Sequence, residues 1–86
     1  MADYILSRQF LKDMAVFEKS ASARDLEALE KVMATIVQDP NLPGRLPSFY
    51  DPSLPSYLLR SGDLLIHYRV PRPQLVEFLN LFWPRV

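Results

Sequence analysis

The sequence predicts an α+β fold in which two helices pack on one face of a small, mostly antiparallel sheet, in the order β-α-α-β-β-β. Three observations favour this class. Two segments of the first half carry apolar residues at helical spacing. Three segments of the second half alternate or run apolar, as strands do. A proline-rich stretch separates the two halves.

The composition sets limits on domain number and on the kind of site. With 86 residues, of which 49% are apolar, the chain is expected to form one domain over residues 1–86 with a folded core. It has no cysteine and one histidine, which excludes thiolate metal sites and argues against a histidine cluster. We therefore expect no metal and no cofactor. The absence of a signal-peptide pattern or a long apolar run predicts a cytoplasmic protein without membrane contact.

The first half predicts a short strand followed by a helical hairpin. Tyr4 to Leu6 forms the strand, and Ser7 can cap a helix within Arg8–Lys19. A second helix is expected from about Ala23 to Gln38, since its apolar residues share one face. Ser22 and Asp25 have the spacing of a capping box at its start. The short connection between the helices predicts an αα-hairpin.

The second half predicts a long loop and three strands. Residues 40–55 hold five prolines, a density that no helix or central strand tolerates. Strands are expected at Tyr57–Arg60, at Leu64–Val70 and from Leu75 to about Phe82. The third is apolar on both faces, with Val76, Phe78 and Phe82 opposite Leu75, Leu79 and Leu81, as in a central strand.

The charge distribution and the hairpin point to a phosphate-rich ligand. The formal net charge is zero, but residues 40–86 carry five basic and three acidic side chains, and all five basic residues are arginines. Arginine suits bidentate contacts with phosphate. Arg60, His67 and Arg69 fall inside an otherwise apolar hairpin, which would hold them rigidly. A cation and an imidazole on a rigid sheet are what binding or cutting a phosphate backbone requires.

The order of elements and the hairpin residues resemble the RelE/ParE superfamily of toxins from bacterial type II toxin–antitoxin modules. The resemblance covers nearly the whole chain. The helix end Gln38-Asp39-Pro40-Asn41-Leu42-Pro43-Gly44 is similar to the family's helix end. Leu58-Leu59-Arg60-Ser61-Gly62-Asp63-Leu64-Leu65-Ile66-His67-Tyr68-Arg69-Val70 looks like the family's Gly-Asp hairpin. Phe78-Leu79-Asn80-Leu81-Phe82-Trp83-Pro84-Arg85 is similar to its last strand.

Three positions match functional residues of that family. Arg60 matches the arginine before the Gly-Asp turn, Tyr68 a tyrosine of the next strand, and Arg85 the C-terminal arginine. The chain also departs from the pattern. The arginine that RelE-like enzymes place after the turn is Leu65 here, and no terminal tyrosine or histidine follows Trp83.

Metal-independent RNA cleavage through the 2′-hydroxyl needs a base, an acid and a cation at the phosphate. We expect Arg60, His67 and Arg85 as catalytic residues, with His67 as base or acid. Arg69, Trp83 and Arg45 are expected to bind substrate. Five of them have a structural interpretation as well. His67 would be a satisfied sheet residue, Trp83 a packing residue and Arg45 solvated surface. Arg60 would contact an internal carboxylate such as Asp63, and Arg85 would lie in a frayed terminus.

The resemblance implies two activities and leaves a third possibility open. RelE-like members cut messenger RNA on the ribosome, whereas ParE-like members inhibit DNA gyrase without catalysis of their own. A degenerate, non-toxic member would act only as an interaction partner. In every case the resemblance implies a cognate antitoxin, for which the surface of the helix pair and the proline-rich loop is the expected groove.

Overall fold

The computed structural model describes residues 3–48, 53 and 55–83. Its elements are β1 (Asp3–Leu6), α1 (Arg8–Ser20), α2 (Ala23–Gln38), β2 (Leu46–Ser48), β3 (Ser56–Ser61), β4 (Leu64–Arg72) and β5 (Leu75–Phe82). The helices and the four predicted strands lie where the sequence places them, within two residues at each end. In the described part of the chain, no helix is long and apolar enough to cross a membrane.

Capping side chains determine where both helices begin. The hydroxyl of Ser7 accepts a hydrogen bond from the Phe10 amide at 3.0 Å. At the second helix, Ser22 and Asp25 bond each other's backbone amides and complete the predicted capping box. These caps satisfy amides that the first turn of a helix leaves without intrahelical partners. Each helix therefore begins at a defined residue, and the two helices remain distinct.

The sheet has five strands in the order β1-β5-β4-β3-β2. All neighbouring pairs are antiparallel except β1 with β5, which is parallel. The strand β2, at Leu46–Ser48, corrects the expectation that residues 40–55 form only a loop. Proline is compatible with this strand because β2 pairs with β3 alone and lies at the edge of the sheet.

The core lies between the helix pair and one face of the sheet. Phe10 and Phe17 of α1 are buried there, as their spacing predicts, and the Phe10 ring lies 5.4 Å from that of Phe78. The helix α2 contributes Leu29, Val32, Ile36 and Val37. The sheet contributes Leu59, Ile66, Tyr68, Val76, Phe78 and Leu81. This helix-covered face leaves the other side of the sheet, called the open face below, without helices.

A β-bulge at Leu79 corrects the predicted faces of β5. Asn80 lies opposite His67 and Phe78 lies opposite Tyr68, so Leu79 has no partner on β4. The side chains of β5 therefore change phase. Val76, Phe78 and Leu81 all face the helices, whereas Phe82 pairs with Leu65 on the open face and is 47% exposed. In a regular strand, Phe78 and Phe82 would share one face.

Two residues, the N-cap Ser7 and Asp13 of α1, stabilise the bulge. Ser7 donates from its amide to the Phe78 carbonyl at 2.9 Å and from its hydroxyl to the Leu79 carbonyl at 2.9 Å. The carboxylate of Asp13 accepts from the Leu81 amide, also at 2.9 Å. Because β1 ends at Leu6, opposite Phe78, this part of β5 has no strand partner on that side. Ser7, the N-cap of α1, and Asp13 within α1 take the place of the missing strand and satisfy the backbone groups of β5.

We expect Asp13→Ala to lower the free energy of unfolding by about 1–3 kcal/mol, because the partly buried Leu81 amide loses its acceptor. Urea unfolding measures the change. Asp13→Asn keeps an oxygen acceptor and should recover most of the loss. Gln9→Ala removes the exposed hydrogen bond to the other oxygen of Asp13 and should change stability by less than about 0.5 kcal/mol. Equal losses for Ala and Asn at position 13 would contradict this role.

Candidate active site on the open face of the sheet

Three rows of paired residues form the open face. The middle row runs from Leu46 of β2 through Leu58 and His67 to Asn80 of β5. One flanking row contains Ser48, Ser56, Arg69 and Glu77, and the other contains Arg60, Leu65 and Phe82. Neighbouring rows are about 7 Å apart along the strands. The sheet thus places His67 between a row that holds Arg60 and a row that holds Arg69.

His67 is the centre of a polar network that joins three strands. Its Nδ1 lies 2.8 Å from Oδ1 of Asn80 on β5, and its Nε2 lies 2.9 Å from Oγ of Ser56 on β3. The histidine is only 3% exposed and Ser56 only 2%. A polar group at this depth is stable only when it is hydrogen-bonded, and this network supplies partners to both ring nitrogens.

A shallow depression of about 370 Å³ lies on the open face beside this network. His67 and Asn80 line it together with Ser48, Leu58, Leu65 and Phe82. Three of these six lining side chains are apolar, and the other three supply an imidazole, an amide and a hydroxyl. Among the described residues, no three His, Asp or Glu side chains are grouped as a metal site requires. The polar groups present can bind a ligand through hydrogen bonds and can move a proton at the imidazole.

The two arginines that flank His67 differ in their pairing. Arg60 is exposed and forms no ion pair with an acidic side chain in the described part of the chain. Arg69 shares the face of His67, as the alternation predicts, but its Nε donates to Oε1 of Glu77 in a short ion pair. The neighbouring carboxylate compensates the charge of Arg69. Of these two arginines, Arg60 is therefore the one whose charge is available to a ligand.

Arg45 lies on the other side of the sheet, which does not fit its predicted role in binding substrate with His67. Its guanidinium lies 4.4 Å from the centre of the Tyr57 ring, on the helix-covered face. Its Nη1 donates to Asn41 Oδ1 at 2.9 Å and to the Pro40 carbonyl at 3.3 Å. Arg45 thus fastens the turn after α2 to the sheet through hydrogen bonds and a cation–π contact.

Trp83 also lies on the helix-covered side, where it cannot stack on a ligand at the open face. It is buried, and its ring packs edge-on against Phe17 with centroids 4.5 Å apart. This is the packing interpretation that the sequence left open. Arg85, the third predicted catalytic residue, lies outside the described residues.

Ser56 and Asn80 are the members of the network that the sequence analysis missed. Asn80 is one of two polar residues in β5, the other being Glu77, and both face the open side. Their presence in an otherwise apolar strand was the available signal. Ser56 gave none, because it lies between the predicted loop of residues 40–55 and the strand predicted from Tyr57.

The structural comparisons identify proteins of the same fold. No protein-family model and no curated protein matches the sequence. A chain of the DinJ–YafQ complex from E. coli matches with a TM-score of 0.72 and 19% identity, over 99% of this chain and 96% of that chain. A metal-bound toxin from Helicobacter pylori matches with 0.69 and 22%, over 96% and 94%. YafQ from E. coli BL21(DE3) matches with 0.64 and 21%, over 99% and 96%. The predicted RelE-like α+β fold is confirmed.

Tyr68, which matches a family tyrosine, belongs to the core. It is completely buried between the sheet and the helices, and its hydroxyl donates to the Pro40 carbonyl at 2.9 Å. Burial raises the pKa of Tyr68 to about 12, and the nearby Arg45 opposes this increase only in part. A neutral, hydrogen-bonded phenol thus stabilises the packing of the turn after α2 on the sheet.

We expect stability to fall steeply between pH 10 and pH 12. The unfolded chain loses the Tyr68 proton near pH 10, whereas the folded protein keeps it up to about pH 12, so rising pH favours unfolding. Two pKa units correspond to roughly 3 kcal/mol. Urea unfolding at several pH values measures the loss of stability between pH 10 and pH 12, and this total loss should be smaller by this amount in Tyr68→Phe. Tyr4→Phe, at an exposed tyrosine, should keep the full loss; identical losses in all three proteins would refute the assignment.

Proposed function

We propose that this chain is the toxin of a type II toxin–antitoxin module and that it cuts messenger RNA on the ribosome, as RelE-like toxins do. The observation that carries the proposal is the match of fold over nearly the full length of both chains. YafQ and the H. pylori protein are RelE-family toxins. A cytoplasmic location belongs to the same proposal, because the ribosome is its site of action.

The chemistry proposed for the open face uses His67 and Arg60. His67 takes the proton of the 2′-hydroxyl, whose oxygen then bonds to the adjacent phosphorus. The bond from phosphorus to the 5′-oxygen breaks, and that oxygen takes a proton from water, which leaves a 2′,3′-cyclic phosphate. Arg60 stabilises the charge that develops on the phosphate oxygens. Its exposure and its lack of an ion pair within the described residues support this role.

We expect His67→Gln to reduce cleavage by about 10²–10⁴-fold, because glutamine keeps hydrogen-bonding groups but cannot accept the proton. Arg60→Ala should reduce it by about 10²-fold through loss of the cation. The assay adds purified protein to a translating cell-free system and maps cut sites in the messenger RNA by primer extension.

Arg24→Ala is the matched control, since Arg24 is exposed on α2, on the opposite side of the sheet. It should cut like the unaltered protein. Full activity in both the His67 and the Arg60 variants would refute these residue roles. The absence of cutting by the unaltered protein, with or without ribosomes, would refute the RNA-cleaving activity itself.

Gyrase inhibition is the second candidate, and two contacts favour it. Both ring nitrogens of His67 bond to protein groups, and Glu77 compensates Arg69, so the open face has few free catalytic groups. A ParE-like inhibitor needs none. It would induce a DNA-damage reporter on expression and leave transcripts uncut. The third candidate, a non-toxic member, would permit strong expression without either response.

We propose a cognate antitoxin as partner, as DinJ accompanies YafQ in their complex. A groove of about 600 Å³ between β1 and α2 supports this proposal. Its lining is mostly apolar and includes two acidic side chains; the lining residues are Asp3, Tyr4, Glu30, Met33, Ala34, Val37 and Phe78. An amphipathic segment with basic residues beside its apolar face would fit this lining.

We expect Ala34→Arg to weaken antitoxin binding at least tenfold, because the long side chain fills the groove. Ala28→Arg is the matched control, since Ala28 is equally classed as exposed on α2 but does not line the groove. Calorimetry with a cognate antitoxin, to be sought in a small reading frame beside the gene, measures both affinities. Equal affinities of the two variants would place the antitoxin elsewhere, and no binding by the unaltered chain would refute the partnership.

A further inference from the structure

The hydrogen bonds of His67 determine which of its nitrogens carries the proton. Oδ1 of Asn80 can only accept, so the Nδ1 atom 2.8 Å away must donate. In the neutral ring, Nε2 is then the nitrogen without a proton. It accepts a hydrogen bond from the hydroxyl of Ser56, which lies 2.9 Å away and can turn either way.

We propose that Asn80 is a positioning residue that prepares His67 to act as a base at Nε2, and that Ser56 relays the substrate proton to this nitrogen. This inference rests on the proposed RNA-cleaving function and deepens it. Asn80 fixes the Nδ1–H tautomer, and Ser56 connects the basic nitrogen to the substrate. The 2′-hydroxyl proton passes to Ser56 Oγ while the proton of Ser56 passes to Nε2, so that the serine is unchanged and the ring becomes an imidazolium.

The network accommodates the charged ring with no change other than a rotation of the Ser56 hydroxyl. After proton uptake both ring nitrogens are donors. The bond from Nδ1 to Asn80 is unchanged, and Nε2 donates to Ser56 once the serine hydroxyl has turned. The ring does not move, which suits a side chain that is packed at 3% exposure in the middle row of the sheet. Preorganised partners of this kind lower the cost of proton transfer.

The single histidine makes the tautomer directly measurable. In protein labelled with ¹⁵N at histidine, the ring nitrogen shifts and their couplings to ring protons distinguish Nδ1–H from Nε2–H. We expect Nδ1–H in the unaltered protein and in Asn80→Asp, because aspartate has the same shape and accepts the same bond. Asn80→Leu also has this shape but accepts no bond, and the Nε2–H tautomer should replace Nδ1–H in it.

Cleavage should follow the tautomer. Asn80→Asp, which keeps the acceptor, should retain more cleavage than Asn80→Leu, which should lose at least tenfold. Ser56→Ala should lose at least tenfold and Ser56→Thr, which retains the hydroxyl, should recover it. Circular dichroism and urea unfolding establish that each variant is folded at the assay temperature. Losses of cleavage that correlate with lost stability, and not with the His67 tautomer or the presence of the hydroxyl at position 56, would overturn the proposal.

The outcomes separate this inference from the function on which it rests. An Nε2–H tautomer in the unaltered protein, or an unchanged tautomer in Asn80→Leu, overturns the inference whatever the activity. Full cleavage by Asn80→Leu overturns it while the RNA-cleaving function stands. The expected tautomers in a protein that cuts no RNA support the hydrogen-bonding assignment and refute the proposed function.

Discussion

The structure depends on the bulge at Leu79, because the bulge allows residues only two apart in β5 to lie on opposite faces of the sheet. Phe78 packs against Phe10 in the core, and Asn80, two residues later, bonds to His67 on the open face. Residues two apart in a regular strand share one face. Phe78 and Asn80 can therefore face opposite sides only because Leu79, between them, is bulged out of the pairing with β4. Ser7 and Asp13 make the bulge stable by satisfying its backbone groups.

The bulge determines which side chains lie together on the open face. One histidine is held between a serine and an asparagine. An arginine without an ion pair among the described residues lies in one neighbouring row, and a charge-compensated arginine lies in the other. The predicted ligands Arg45 and Trp83 stabilise the opposite side of the sheet. Within the described residues, the open face therefore holds fewer of the predicted side chains than expected, and the proton chemistry proposed for it depends on the partners of His67 more than on a convergence of arginines.

The sequence predicts the elements better than it predicts the site, for physical reasons. Helix caps and apolar periodicity are local, so Ser7, Ser22 and the helix boundaries could be identified directly. The bulge is not local: the side chains that stabilise it, Ser7 and Asp13, come from the other end of the chain. Unless the bulge is known, the side chains of β5 beyond Phe78 cannot be assigned to a face of the sheet. For that reason Asn80 was missed and Phe82 was placed on the wrong face.

Cross-strand contacts between backbone protons of β4 and β5, measured by NMR in solution, establish whether β5 has a bulge at Leu79. We expect His67 opposite Asn80 and Tyr68 opposite Phe78, with Leu79 unpaired. A continuous register, in which Tyr68 lies opposite Leu79 and Arg69 opposite Phe78, would contradict the bulge.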